Sequence, residues 1–202
     1  MRSRKEKVIV YAILAMLGVI YICRYVQLNM AYQELRTGWD EFYHLGDEVS
    51  FGENYINTSM QAEGYSIEAE DVEIVDTLAY VHEKGISMKE RQASIPERLM
   101  LVSTTIRNTD GDGGIPVLLF ELYGIDSYTL VDFEMFEMIN KNVDLWGWGI
   151  ALPQNTEQTV IIPFRLDRDM FNYYTWNHLE KYPFSMRLTY GPAHMFINLM
   201  EK

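Results

Sequence analysis

Four runs of this chain alternate apolar and polar residues with a period of two, a pattern that suits half-buried β-strands and not helices. Met100, Val102, Thr104 and Ile106 share one face of the first run, with Ser103, Thr105 and Arg107 on the other. Val160, Ile162, Phe164 and Leu166 alternate with Thr159, Ile161, Pro163 and Arg165. Phe184, Met186, Leu188 and Tyr190 alternate with Ser185, Arg187 and Thr189 before Gly191-Pro192 ends the run. Met195, Ile197 and Leu199 alternate with Phe196 and Asn198. Pro163 falls on the outward face of its run. Proline cannot donate to a strand ladder, so this run is expected at a sheet edge or at a bulge.

Upstream, Ile67 and Ala69 set one phase while Val72 and Ile74 set the other. One extra residue around Glu70–Asp71 accounts for the slip and predicts a β-bulge there. "VLLFELY" (117–123) and "TLVDFEMFEM" (129–138) supply two further strands. "RDMFNYYTWNHLEKY" (168–182) breaks the alternation and is expected as a short helix or irregular crossover, with Asp167 or Asp169 as its cap. About seven short strands at this spacing predict an all-β domain over residues 65–202. Its expected form is an antiparallel immunoglobulin-like β-sandwich, with a small barrel as the alternative. Cys23 is the only cysteine and lies outside this region, so the sandwich must hold by packing alone.

The N-terminus is organised differently. Arg2, Arg4, Lys5 and Lys7 precede the uncharged run Val8 to Cys23. At about 1.5 Å per residue these sixteen residues reach about 24 Å, and a snorkelling Arg24 with Tyr25 and Val26 extends the span toward a hydrocarbon core of roughly 30 Å. The expected organisation is a cytoplasmic basic flank (1–7), one transmembrane signal anchor (8–26), a stalk and loop (27–64), and the sandwich (65–202). The basic flank should stay in the cytoplasm, which puts the C-terminal domain outside the cell. No small-residue cleavage site follows the apolar run, so an uncleaved anchor is expected in place of a removed signal peptide.

The order of these features resembles a group of uncharacterised membrane-anchored, immunoglobulin-like exported proteins of Gram-positive gut bacteria. The residues that carry the resemblance are "HLGDEVSFGENY" (44–55), "GYSIEAEDVEI" (64–74), "LMLVSTTIRNTDGD" (99–112) and "LPQNTEQTVIIPFRL" (152–166). The resemblance implies a single anchor, a short stalk and one exported domain. It carries over no catalytic residue.

Residues 1–24 hold five basic residues and one acid, whereas the remainder holds 12 basic and 28 acidic residues. An acidic body repels phosphate backbones and argues against nucleic-acid partners. The sequence contains no nucleophile elbow and no phosphate-binding loop. His44, His82, His178 and His194 lack zinc-ligand spacing. "NTDGDGG" (108–114) fits an EF-hand at Asp110, Asp112 and Glu121 but fails at Gly114 and Ile115, where a ligand and a glycine are needed. A looser calcium loop on Asp110 and Asp112 remains open beside the plain reading of a hairpin turn. The pair Asp132 and Glu134 is expected on one outward strand face.

Aromatic residues are the candidate contact groups. Trp146 and Trp148 in "WGWG" would point the same way if extended, and Tyr173, Tyr174 and Trp176 lie in the crossover. The expected function is a non-enzymatic, membrane-anchored interaction domain at the cell envelope, without cofactor and with the membrane and a protein as partners. The alternatives are a glycan-binding or glycan-processing surface module, and an accessory subunit of a membrane transport complex.

Overall fold

The computed structural model describes residues 16–19, 21–22, 24–25, 38–57, 60–87, 95–124 and 128–200. The chain forms two compact units, residues 1–38 and 39–202. In the first unit, residues 16–19, 21–22 and 24–25 are helical and exposed. The rest of the expected anchor, its basic flank and residues 27–37 of the expected stalk lie outside the described residues. Among the described residues no helix is long and apolar enough to cross a membrane.

The second unit is mostly β. Its strands are β1 (Trp39–Tyr43), β2 (Glu48–Ser50), β3 (Tyr65–Asp76), β4 (Arg98–Asn108), β5 (Glu121–Tyr123), β6 (Tyr128–Leu130), β7 (Leu145–Trp146), β8 (Gly149–Ile150), β9 (Thr156–Leu166), β10 (Ser185–Arg187) and β11 (Ala193–Asn198). Among the described residues, three short helices interrupt them: α1 (Thr77–Glu83), α2 (Phe133–Ile139) and α3 (Tyr173–Trp176). One sheet has the order β2-β3-β4-β9 and the other β1-β11-β10-β5-β6, while β7 and β8 form a separate hairpin. The pairs within both large sheets are antiparallel except β1 with β11, which is parallel.

The alternation seen in the sequence becomes the core of a sandwich-like arrangement. Ile67, Met100, Val102, Ile106, Ile162 and Phe164 of one sheet share a single buried cluster with Leu122, Met186, Met195 and Ile197 of the other. Each such side chain contributes about 1.5–3 kcal/mol on burial, and no covalent bridge is needed. The predicted bulge is present: Ala69 pairs with Thr104 and Asp71 with Ser103, which leaves Glu70 as the extra residue. Pro163 lies in β9, an edge strand as its missing donor requires. Its carbonyl accepts from Asp132 N at 2.8 Å.

Several expectations are corrected. Residues 39–43 and 48–50, assigned to the stalk, form β1 and β2 and complete both sheets. Residues 117–119 are a 3-10 turn and only Glu121–Tyr123 is strand. The run 129–138 is not one strand, because it stops at Leu130 and α2 follows. The Asp132 carboxylate caps α2, accepting from Met135 N at 3.0 Å, so Asp132 and Glu134 do not share a strand face. Met135, Met138 and Ile139 sit at helical spacing and pack with Tyr80 and Val81 of α1 over Leu99 and Leu101. This second, smaller cluster buries one end of the outer face of β4 and explains why both faces of that strand carry apolar residues. Asn172, not Asp167 or Asp169, caps α3, accepting from Thr175 N at 3.0 Å. The segment after β4 is no hairpin turn either, since β4 pairs with β3 and β9 while the chain crosses to the other sheet.

Candidate functional site

The tryptophan pair sits on the β7–β8 hairpin. Trp146 pairs with Gly149 across two central residues, Gly147 and Trp148. Gly147 has φ +61°, and a positive φ at the first central position alone marks a type II′ turn, which suits the twist of a hairpin. The two rings therefore do not share one face of an extended segment. Trp146 is 65% and Trp148 59% exposed at the hairpin tip. Gly149 lets the hairpin approach the backbone of Ile115, where a Cβ would meet Ile115 O at 2.0 Å.

The crossover aromatics divide. Tyr173 and Tyr174 are exposed, and Tyr174 stacks on His178 with centroids 4.5 Å apart. Trp176 is only 5% exposed. It holds the Arg98 guanidinium 4.6 Å from its ring and packs on Phe171, so it has no surface for a partner. Arg98 opens β4, whereas the Trp146 ring borders Gly114, just beyond the Asn108 end. Eleven residues of strand span roughly 35 Å, so hairpin and crossover do not combine into one platform.

The loop 109–114 is held by its own hydrogen bonds. Asn108 Nδ2 donates to Gly111 O at 3.0 Å and Leu152 O at 2.7 Å, and Asn108 Oδ1 accepts from Gly111 N at 2.7 Å. Asp110 accepts from Thr109 Oγ1 at 3.0 Å, and Asp112 from Gln154 Nε2 at 3.1 Å. Both carboxylates border an open recess of about 380 Å³. Glu121, the twelfth position of the EF-hand spacing, lies in the five-stranded sheet and pairs there with Arg187 of the adjacent strand. Among the described residues no three His, Cys, Asp or Glu side chains gather as metal ligands.

The surface that the sequence did not reveal is the outer face of the five-stranded sheet. Register places Phe42, Phe196, Arg187, Glu121 and Leu130 in one row across β1, β11, β10, β5 and β6. Asn198, Ser185, Tyr123 and Tyr128 form the next row. Phe42 stacks on Phe196 at 5.4 Å, Tyr123 meets Phe196 edge-on at 5.9 Å, and Tyr128 stacks on Tyr123 at 6.0 Å. Phe42 (59%), Tyr128 (62%) and Leu130 remain exposed. Large exposed apolar patches mark interaction sites.

A buried ion pair lies under this layer. Arg187 Nη2 is 2.6 Å from Glu121 Oε2, with side chains 16% and 7% exposed. The guanidinium lies 3.5 Å from the Tyr190 ring centroid and 5.0 Å from that of Tyr123. The Tyr190 hydroxyl donates to Glu121. Burial, and then the hydrogen bond to Glu121, push the Tyr123 phenol up to about 12 and raise that of Tyr190. At the β1 end, His194 Nδ1 lies 3.0 Å from the Asp40 carboxylate.

The other sheet presents a different outer face. Arg107 reaches Glu68 at 2.8 Å and Glu157 at 3.0 Å, and Ser66 donates to Glu48 at 2.5 Å. That half is a solvated polar surface, and α1 and α2 cover the remainder near Leu99 and Leu101.

A family model described as "Domain of unknown function (DUF5028)" matches residues 40–195. Neither the curated proteins nor the solved structures give a match.

Proposed function

Starting from a chain that belongs to the DUF5028 family, we propose a membrane-anchored exported interaction domain that docks a protein partner on the outer face of its five-stranded sheet. One observation carries this reading: Phe42, Tyr128 and Leu130 stand exposed over an ordered aromatic layer that no helix among the described residues covers. Rigid aromatic anchors above a desolvated charge pair are the composition of a binding hot spot. The basic flank and the uncharged run 8–23 support the anchor and its orientation.

The immunoglobulin-like type belongs to this proposal. The order β11-β10-β5-β6 matches a G-F-C-C′ sheet, and β3-β4-β9 matches A-B-E of the facing sheet, with no strand among the described residues in the D position. The test uses the full chain in its native membrane. A Ser185→Cys variant, with the thiol on the aromatic face, is expected to react with a membrane-impermeant maleimide in intact cells. Labelling only after lysis would place the domain inside and end the exported reading.

A second reading is a glycan-binding module on the β7–β8 hairpin, favoured by the exposure of Trp146 and Trp148. A screen against wall and host glycans in which Trp146→Ala and Trp148→Ala abolish a signal supports it. A signal that persists in both variants rejects it.

A further inference from the structure

Resting on the proposed docking role, we propose that the partner presented to the aromatic face is a cationic protein segment that recognises it through arginine side chains. The first reason is charge. Residues 25–202 hold 12 basic and 28 acidic residues. Among the described residues within the strands of this face, the cationic or cationisable side chains Arg187 and His194 are already engaged, with Glu121 and with Asp40. Neither is free to attract an anionic partner, and long-range repulsion opposes a second copy of the chain or an anionic lipid surface.

The second reason is the form of the face itself. One side of Phe42 rests on Phe196 and one side of Tyr128 rests on Tyr123. Beside Phe42, Asp40 keeps a carboxylate that is 56% exposed. A ring next to a carboxylate suits a guanidinium, which stacks on the one and pairs with the other. The molecule already shows this arrangement internally, with Arg187 between the Tyr190 and Tyr123 rings and against Glu121. A partner arginine would repeat at the surface what Arg187 does beneath it.

The probes are peptides of alternating Gly and Arg, of Gly and Lys, and of Gly and Glu, titrated into the full-length chain. The arginine peptide is expected to bind most tightly, to weaken at high salt, and to lose about tenfold or more in affinity in the double variant Phe42→Ser, Tyr128→Ser at unchanged melting temperature. Glu48→Gln with Glu157→Gln, on the opposite sheet, is expected to leave that affinity unchanged. Equal binding of the arginine and lysine peptides that is lost with Glu48 and Glu157 would overturn the proposal. So would self-association abolished by the ring substitutions, or no binding at all. Failure here is separable from failure of the docking role. A partner crosslinked at Tyr128 through an acidic or neutral surface refutes the cationic partner alone.

Discussion

Arg187 is a cation held between two tyrosine rings and a carboxylate, and its charge lowers the Tyr123 phenol against the larger upward push of burial. Tyr123 and Tyr43 are pushed up to about 12 from an ordinary value of 10.0, in each case mainly by burial and then by a hydrogen bond to a glutamate. A raised phenol pKa means the folded chain holds the proton more tightly than the unfolded one. The stability this supplies is complete below pH 10 and is lost as pH rises from 10 to about 12. In a tyrosinate absorbance titration these phenols are expected to ionise last, together with a fall in melting temperature. Ionisation of all tyrosines together near pH 10 would contradict the buried network. The tryptophans divide in the same way. Trp176→Ala is expected to cost about 3–5 kcal/mol in denaturant unfolding, and Trp146→Ala to stay within about 0.5 kcal/mol. Comparable losses at both would contradict their different burial.

Among the elements, α2 shows how far the sequence could be read. In "TLVDFEMFEM" Val131, Phe133 and Met135 alternate with Asp132 and Glu134, while Met135, Met138 and Ile139 stand at helical spacing, so the two patterns coexist. The Asp132 cap decides between them. Asp132→Ala is expected to destabilise the domain by about 0.5–2 kcal/mol, with hydrogen exchange at Met135–Met138 increasing most. Unchanged exchange there would contradict the cap. The long strands β3, β4 and β9 were legible because one face of each is core and eleven or twelve residues repeat the pattern. The bulge was legible for the same reason, since a slipped phase inside a long strand has few other causes. Of the three-residue strands, β10 was legible because the alternation runs past it from Phe184 to Tyr190, β5 and β6 were seen only inside the longer runs 117–123 and 129–138, and β2 carries too short a pattern to announce itself. The candidate contact residues were legible as aromatics, but not their burial, because Trp176 reaches the core through contacts with Arg98 and Phe184's neighbour Phe171.

For the molecule as a whole, topology creates what the sequence leaves scattered. Phe42, Tyr123, Tyr128, Arg187 and Phe196 come from five strands and meet only because β1 joins the edge of a sheet built from β5, β6, β10 and β11. The two sheets then differ in what they offer to the outside. One presents carboxylates around Arg107 and a helical cover, the other an open aromatic layer above a buried ion pair. Site-specific photocrosslinking in native membranes compares them directly. A photoreactive residue at Tyr128 is expected to capture a defined protein partner, identified by mass spectrometry, and one at Glu157 on the opposite sheet is expected to capture none. Capture from Glu157 but not from Tyr128, or from neither, would contradict a docking role for the five-stranded sheet.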